Sequence, residues 1–251
     1  MCGRYVMARA IGDLVADAEA EADAALELRR SWNIAPTTDV PIVLERLVKS
    51  SPVRQIHVAS WGLVPGWAKD PKVGVRAFNA RSETVAEKPT FRSAVKSRRC
   101  AVPAEGYYEW KAPAGGSRAK RPHYVRPRDG SLIYFAGLYE WWKDPAKAED
   151  DPGRWLLSTS ILTTAAPPAD AEEPVLRGLA ELHDRLPIPL RRDVLGDWLD
   201  PGNRDAPALV DAVRGGAYGV ASGWRLDEVG PAVGNVRNDG PELLEPLEPT
   251  T

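Results

Sequence analysis

The run Cys100-Ala101-Val102-Pro103-Ala104-Glu105-Gly106-Tyr107-Tyr108-Glu109-Trp110 holds two short apolar and aromatic segments that meet at Glu105-Gly106. Short segments of this composition, bounded by turn-forming residues, are typical of β-strands. We therefore predict strands over 100–104 and 107–111. The Glu105 side chain, in the turn between them, is expected to bond a backbone group and to be structural.

The same pattern recurs through the middle of the chain, where β-branched and aromatic segments alternate with Pro and Gly. It predicts further strands over 41–46, 55–61, 123–126, 132–139 and 155–163. Apolar residues at helical spacing predict helices over 13–30, 84–97, 190–199 and 206–214, with Gly215-Gly216 ending the last of them. Loops are expected at 112–121, 143–153 and 166–174. Strands interleaved irregularly with helices favour one α+β domain with a mixed, partly closed sheet.

Composition and charge narrow the class of protein. The 251 residues are 43% hydrophobic and 27% charged, as in soluble globular proteins, and no apolar run approaches the ~20 residues of a membrane span, so no membrane partner is expected. The net charge of −2 excludes a uniformly basic protein that coats duplex DNA, although the basic runs 88–99 and 117–128 are compatible with a local basic groove. Two cysteines and three histidines lack zinc-finger spacing, so no metal site is expected.

The N-terminus has no basic segment followed by an apolar one, and two cysteines do not make a disulfide framework. Both observations favour a protein of the reducing cytoplasm, associated with the nucleoid in a bacterium.

Cys2 directly follows the start methionine. Methionine is normally trimmed before a small residue, which would leave Cys2 with a free α-amine and a thiol on adjacent carbons. The amine condenses with an aldehyde, and the sulfur then closes a five-membered thiazolidine ring. The ordinary pKa values of the two groups, about 8 and about 8.5, keep both partly nucleophilic at neutral pH. Considered alone, a Cys2 is more often an ordinary frayed terminus.

Six runs contain more Trp, Asn, His, Arg and Glu than packing requires, and Pro and Gly flank most of them. Such flanks place polar side chains at strand ends and in tight loops, where binding sites are usually built. The runs are 32–37 (WNIAPT), 61–67 (WGLVPGW), 78–84 (FNARSET), 100–110 (CAVPAEGYYEW), 182–187 (LHDRLP) and 233–241 (VGNVRNDGP).

Taken in order, these motifs make the chain resemble the SOS-response-associated peptidase (SRAP) family, the abasic-site processing proteins. The resemblance rests on MCGRY at 1–5, NARSET at 79–84, PAEGYYEW at 103–110, HDRLP at 183–187 and GNVRNDGPEL at 234–243. It implies a single SRAP-type α+β domain over 2–246, whose mixed, mostly antiparallel sheet forms a partly closed barrel with flanking helices. A short C-terminal tail at 247–251 would follow.

The resemblance implies covalent capture of abasic sites in single-stranded DNA. The ring-opened deoxyribose offers a C1′ aldehyde to the Cys2 amine, and the sulfur then closes a thiazolidine crosslink that shields the lesion from strand cleavage. Autoproteolytic removal of Met1 and self-reversal of the crosslink belong to the same expectation. No cofactor is needed. The implied partner is single-stranded DNA with abasic sites, replication-fork proteins are candidate partners, and the protein is expected to be a monomer.

The resemblance assigns four residues to the reaction. Cys2 is the nucleophile, and Asn79 holds the terminus or the sugar through amide hydrogen bonds. Glu109, opposite two aromatic neighbours by strand alternation, relays protons if burial raises its pKa. His183 is a general acid/base that opens the sugar hemiacetal and could promote β-elimination. Outside this context the last three would be a turn cap, a solvated carboxylate and a surface or core histidine.

Seven residues are expected to bind DNA. Arg4, Arg81 and Arg185 lie beside the reactive positions and would meet phosphates, which planar guanidinium groups bind well. The channel would be lined by Asn33, Pro36, Trp67 and Asn235, with Trp67 as a wedge or stacking platform for bases. A core position is instead expected for Cys100, Trp61, Trp110, Trp141, Trp155 and Trp198.

Two other functions remain open at this point. One is an N-terminal-nucleophile cysteine peptidase or hydrolase, in which Cys2 attacks an amide with help from Glu109 or His183. The other is a single-stranded nucleic-acid binding module in which Cys2 is incidental. A covalent DNA adduct that requires Cys2 would favour the crosslinking function over both the hydrolase and the binding module.

Overall fold

Twelve β-strands and five α-helices lie in the residues that the computed structural model describes, 2–113 and 120–248. The strands are β1 (Tyr5–Met7), β2 (Ser31–Ile34), β3 (Asp39–Val48), β4 (Ser51–Trp61), β5 (Asn79–Arg81), β6 (Arg99–Ala104), β7 (Gly106–Lys111), β8 (Arg121–Pro127), β9 (Ile133–Lys143), β10 (Trp155–Ala165), β11 (Arg185–Pro187) and β12 (Trp224–Glu228). The helices are α1 (Ile11–Ala18), α2 (Ala94–Ser97), α3 (Pro174–Leu182), α4 (Leu195–Leu199) and α5 (Ala206–Ala221).

Five strands close into a barrel. β10 pairs with β4, β4 with β3, β3 with β6, β6 with β9, and β9 returns to β10. All of these pairs are antiparallel except β4 with β10, which is parallel. A closed ring leaves no edge within it, so the backbone groups of its strands pair with one another. The α+β fold with a mixed, mostly antiparallel barrel is confirmed, and the ring closes completely.

A second, antiparallel sheet has the order β12-β8-β7-β1-β2. The chain passes from the barrel strand β6 to β7 of this sheet through the single residue Glu105. Its carboxylate accepts a hydrogen bond from the backbone N–H of Ala8 at 2.6 Å, so the expected structural role of Glu105 is confirmed. Residues 100–110 therefore form the connection between the two sheets.

Two short strands extend the barrel wall at the end of β10. β5 lies parallel to β10, with Asn79 opposite Ile161, and β11 lies antiparallel, with Arg185 opposite Ala165. Both strands belong to polar motifs and both have only three residues. Their pairing with one strand brings two sequence-distant motifs to the same end of the barrel.

All seven predicted strands are confirmed, and the five that were not predicted have only three to five residues. Segments this short do not show the alternation on which strand prediction depends.

Three predicted helices have different bounds. The helix expected at 13–30 is α1, which ends at Ala18 because Glu19 takes a left-handed conformation with φ of 50°. Only Ala94–Ser97 of the predicted helix 84–97 is α-helical, after a series of turns. α5 continues to Ala221 through Gly215-Gly216, since the buried Ala217 and Ala221 keep this face packed.

Two further segments correct the predicted loops and helices. α3, which follows the expected loop at 166–174, was not predicted. Its first residue is Pro174, a residue favoured in the first helical turn. The expected helix at 190–199 begins as a 3₁₀ turn at Arg192–Val194 and becomes α4. Of the hairpin loop predicted at 112–121, residues 114–119 lie outside the described residues.

The tryptophan assignments are partly wrong. Trp61 and Trp198 are fully buried as expected, but Trp141 is 38% and Trp155 53% exposed. Trp142, the next residue along β9, takes the buried face instead, because neighbouring strand residues point to opposite sides. Cys100 is fully buried in the barrel, as predicted, and Trp110 is half-buried.

None of the helices within 2–113 and 120–248 has the length and hydropathy needed to cross a membrane. In the same residues, no group of three or more His, Cys, Asp and Glu side chains is arranged to hold a metal ion.

The tight packing of the ring predicts a large cost for one added methyl group. A Cβ on Gly137 would lie 2.9 Å from Cys100 Sγ and 3.1 Å from Val102 Cγ2. Gly137→Ala is expected to lower the free energy of unfolding by about 1–3 kcal/mol through overpacking. Gly12→Ala, exposed in α1 with no atom within 4 Å of the new Cβ, should instead raise it by roughly 0.5–1 kcal/mol. Urea denaturation of both variants measures the difference; equal midpoints would contradict the packing argument.

Candidate active site

The N-terminus is tied to the barrel by one side-chain hydrogen bond. Cys2 is fully buried, and its backbone carbonyl accepts a bond of 2.7 Å from Nδ2 of Asn79. Asn79 begins β5, which is paired with β10, so the donor is fixed by the barrel wall. The other amide atom, Oδ1 of Asn79, is buried and has no hydrogen-bond partner in the described part of the chain. An acceptor beside Cys2 is therefore available.

The environment of Cys2 raises the pKa of its thiol. Burial is the main cause, and the nearby carboxyl group of Glu109 acts in the same direction, while the Arg4 backbone hydrogen bond opposes them. The thiol is thus protonated at neutral pH in this state. The ordinary thiol pKa does not apply to this buried state, because a thiolate without solvent is unfavourable. Reaction at sulfur requires a group that removes the thiol proton.

Glu109 is the nearest candidate for such a group. It is 6% exposed on β7, and burial raises the pKa of its carboxyl group, while the charge of His183 lowers it in part. Tyr108 and Trp110, its chain neighbours, pack in a separate apolar cluster on the opposite face. The predicted alternation and the predicted direction of the pKa shift are both confirmed. A carboxyl group with a raised pKa can donate as well as accept a proton near neutral pH.

A cleft of about 480 Å³ opens beside these residues. It is lined by Arg4, Glu109, Trp110, Lys120, His183 and Gly234. The Arg4 guanidinium lies over the Trp110 ring, 5.6 Å from its centroid. This surface opening therefore brings together two cations, one buried carboxyl group and one histidine.

Asn79 lines a different groove, of about 630 Å³, together with Lys72 and Arg76. The Asn79–Cys2 bond therefore lies between two concave surfaces, one containing Glu109 and His183 and the other containing two cations. The Asn79 groove also contains Asp70, which pairs with Lys72 at 3.8 Å, so Arg76 is the cation there without a carboxylate partner among the lining residues.

These features come from motifs spread over the whole chain, and the family model called SOS response associated peptidase (SRAP) matches residues 1–236. The chain belongs to the SRAP family.

Named relatives of this SRAP protein cover bacteria and vertebrates. The abasic site processing protein YoqW of Bacillus subtilis is 32% identical over 248 residues, which are 98% of this chain and 99% of YoqW. The abasic site processing protein HMCES of Rattus norvegicus is 30% identical over 251 residues, which are 87% of this chain and 65% of HMCES.

Solved structures show the same fold. A protein of Bacteroides thetaiotaomicron aligns with a TM-score of 0.75 at 21% identity, covering 98% of this SRAP chain and all of the other. A phage-related protein of Bordetella bronchiseptica aligns with a TM-score of 0.63 at 25% identity, covering 91% of this chain and 94% of the other.

Asn33 holds a loop and an arginine in place. Its side chain is 4% exposed, and Nδ2 donates to the backbone carbonyls of Val233, Asn235 and Asn238. Its Oδ1 accepts from Nη1 of Arg4 at 2.8 Å. Asn33 therefore holds the 233–238 loop and orients Arg4. It also lines a groove of about 650 Å³, and its contact with DNA stays a prediction.

Arg185 is likewise committed to the protein. Its guanidinium forms a bidentate ion pair with Glu83, at 2.9 and 2.8 Å, and also donates to the Thr163 carbonyl at 2.7 Å. The side chain is only 11% exposed. This pair is a clamp that joins the 79–84 and 183–187 motifs, and the phosphate contact of Arg185 stays a prediction.

The other predicted DNA-binding residues are at least partly accessible. Trp67 is 62% exposed, and its indole N–H donates to the Pro89 carbonyl. Arg81 and Asn235 are exposed, and Pro36 is half-buried in a groove of about 650 Å³ that also contains Asn33. Arg4 lines the cleft itself.

Sequence reasoning missed Lys120 and Trp110 as cleft residues and Glu83 as the partner of Arg185. Lys120 belongs to the basic run 117–128, whose charge was noted, but the sequence did not show which of its residues would reach the cleft. Glu83 lies two residues after Arg81 in a motif that was already singled out, but its partner is about a hundred residues away in sequence.

The raised pKa of Glu109 predicts a pH-dependent stability difference. The folded protein holds the Glu109 proton to higher pH than the unfolded chain does, so the folded state loses relative stability as pH rises through the raised pKa. Glu109→Gln keeps this position neutral. The variant should match the wild type at about pH 3 and become the more stable of the two towards about pH 8. Urea denaturation across this range measures the difference, and a gap that narrows with rising pH would contradict the assignment.

Proposed function

We propose that this SRAP protein recognises abasic sites in single-stranded DNA and captures them as a covalent crosslink through Cys2 after Met1 is removed. The observation that carries the proposal is the position of Cys2, held by Asn79 beside the cleft that contains Glu109 and His183. Relatives named abasic site processing proteins support the choice of lesion. The crosslink would shield the lesion from strand cleavage.

The chemistry balances without a cofactor. The Cys2 amine adds to the C1′ aldehyde of the ring-opened sugar, and the carbinolamine loses water to give a Schiff base. The Cys2 sulfur then adds to the imine carbon, and its proton ends on the nitrogen. One aldehyde and one aminothiol thus give a thiazolidine and one water.

Glu109 is suited to carry the protons of these steps. With a raised pKa it can protonate the departing hydroxyl group and then, as carboxylate, take the proton of the buried Cys2 thiol. The free Oδ1 of Asn79 can accept a hydrogen bond from the new α-amine or from a sugar hydroxyl group. His183 would act on the sugar oxygen from the same cleft. The same groups, used in reverse, would allow the crosslink to open.

The alternative of a general peptidase has weaker physical support. A cysteine hydrolase needs an exposed thiol of low pKa, whereas Cys2 is fully buried and burial raises its pKa. A single autoproteolytic event that removes Met1 requires no access for foreign peptides and is compatible with this burial.

The DNA strand would follow the exposed residues around the cleft. Arg4 and Lys120 lie at the opening, Arg81 follows Asn79 on β5, and Trp67 offers an exposed indole. Few cations contact the strand in this arrangement, so affinity should fall only moderately with salt.

Substitution of Cys2 tests the proposal directly. Cys2→Ala should abolish a heat-stable adduct with single-stranded DNA that contains one abasic site, because the thiazolidine needs both amine and thiol. A denaturing gel measures the adduct, and intact mass spectrometry verifies removal of Met1. Cys100→Ala is the matched control and should keep the adduct, since an internal cysteine has no free α-amine and cannot form a thiazolidine. An undiminished adduct with Cys2→Ala, or none with processed wild type, rejects the proposal.

Substitution of Trp67 tests the DNA path. Trp67→Ala should weaken binding of single-stranded DNA by about 1–3 kcal/mol, the usual value of one base–aromatic stack. Trp155→Ala removes an indole that is 53% exposed at the start of β10, whereas β5 and Asn79 pair with the other half of that strand. The Trp67 indole instead bonds Pro89, which precedes Thr90 of the Asn79 groove, so only Trp155→Ala should bind normally. Fluorescence anisotropy with an abasic-free oligonucleotide measures both. Equal losses for the two variants would show that neither indole is a specific contact.

A further inference from the structure

One ring nitrogen of His183 has two neighbours with opposite requirements. The backbone N–H of Arg185 donates to Nδ1 at 3.0 Å, and Oδ1 of Asp184 lies 2.6 Å from the same atom. A backbone N–H can only donate, so the first contact needs a lone pair on Nδ1. An ionised carboxylate can only accept, so the second needs a hydrogen there. The first contact fits the neutral ring with its hydrogen on Nε2, and the second fits a ring with a hydrogen on Nδ1, as the charged ring has.

In the neutral ring, a lone pair on Nδ1 leaves the hydrogen on Nε2. The ring lines the cleft, and Nε2 has no hydrogen-bond partner within residues 2–113 and 120–248. When a second proton is bound at Nδ1, Asp184 accepts it and Nε2 keeps its hydrogen. The ring then carries an Nε2–H in both charge states.

The donor of the neutral state is itself held in place. Glu83 binds the Arg185 guanidinium with both oxygens, and a third bond runs from that guanidinium to the Thr163 carbonyl. The Asp184 carbonyl accepts from the Ala166 N–H at 2.9 Å. The backbone at 184–185 is thus fixed to β10 and to the 79–84 motif, which orients the Arg185 N–H towards the ring.

We propose that the Glu83–Arg185 ion pair is a positioning device for His183. The pair holds the Arg185 backbone N–H against Nδ1, so the neutral ring keeps its hydrogen on Nε2. In the charged ring, Asp184 accepts the hydrogen on Nδ1. Neither Glu83 nor Arg185 is among the residues that line the cleft, so their effect on the cleft passes through His183. The consequence for DNA rests on the proposed function, since it assumes that His183 acts on the sugar.

The device divides the chemistry between two groups. Glu109 on β7, Arg4 and Lys120 are the charged groups that share the cleft with His183, and Asp184 is its chain neighbour. An Nε2–H makes the histidine a hydrogen-bond donor to a sugar oxygen and leaves the thiol proton to Glu109. The other neutral tautomer would present an unprotonated nitrogen and compete with Glu109 as base.

The tautomer can be read in the free protein. Long-range ¹H–¹⁵N correlation spectra of the ¹⁵N-labelled chain distinguish the two neutral forms, and His183→Gln identifies the signals among the three histidines. The wild type should show the Nε2–H form. Glu83→Gln should give a mixture of both forms, as should Arg185→Lys, which keeps the charge but loses the bidentate geometry. Asp184→Asn should keep the wild-type tautomer, because the Arg185 N–H remains.

The matched control is Asp193→Asn, which breaks another Arg–carboxylate pair, with Arg191, that is more than half exposed and does not line the cleft. It should retain the tautomer and the rate of crosslinking, whereas Glu83→Gln should slow crosslinking on the order of tenfold, as expected when a partner that orients a histidine is lost. Thermal melting establishes that each variant is folded. If Glu83→Gln does not fold, the milder Glu83→Asp takes its place in the same measurements.

A wild-type ring with its hydrogen on Nδ1, or an unchanged tautomer in folded Glu83→Gln and Arg185→Lys, overturns the proposal. The spectra need no DNA. If they behave as expected while the wild type forms no crosslink, the positioning device stands and the proposed function fails.

Discussion

The hydrogen bond from Asn79 to the Cys2 carbonyl is the constraint on which the candidate site depends. It crosses from a strand of the barrel wall to the chain terminus, which would otherwise be the most mobile part of the protein. The donor is rigid because β5 is paired with β10, and β10 belongs to a closed ring of strands. A terminus held in this way can present an amine and a thiol at one defined place.

Burial then determines the protonation states. With Cys2 fully buried and Glu109 nearly so, loss of solvent raises the pKa of both the thiol and the carboxyl group, and the carboxyl group of Glu109 raises the pKa of the thiol further. Both groups therefore hold their protons to higher pH than they would in solvent, and a reaction at sulfur needs a group that takes the thiol proton.

The arginines near the site illustrate how context decides the use of a side chain. Arg4, Arg81 and Arg185 share a guanidinium fork suited to phosphates. Yet Arg185 is buried in a bidentate pair with Glu83, Arg4 is anchored to Asn33 and stacked on Trp110 at the rim of the cleft, and only Arg81 is free on the surface. The same chemical group thus builds the site at one position, shapes its opening at another and remains available to a polyanion at the third.

Local patterns determined the long strands, the α+β class and the motifs, because alternation and residue chemistry are properties of short segments. The candidates Cys2, Asn79, Glu109 and His183 came from the family resemblance that those motifs carry. The three-residue strands β5 and β11, the early end of α1 at Glu19 and the continuation of α5 through two glycines were decided by pairing and packing with distant residues. Distant residues also decided the burial of Asn33 and the formation of the Glu83–Arg185 pair. Burial and ion pairing depend on which atoms surround a side chain after folding, and those atoms come from segments far away in the chain.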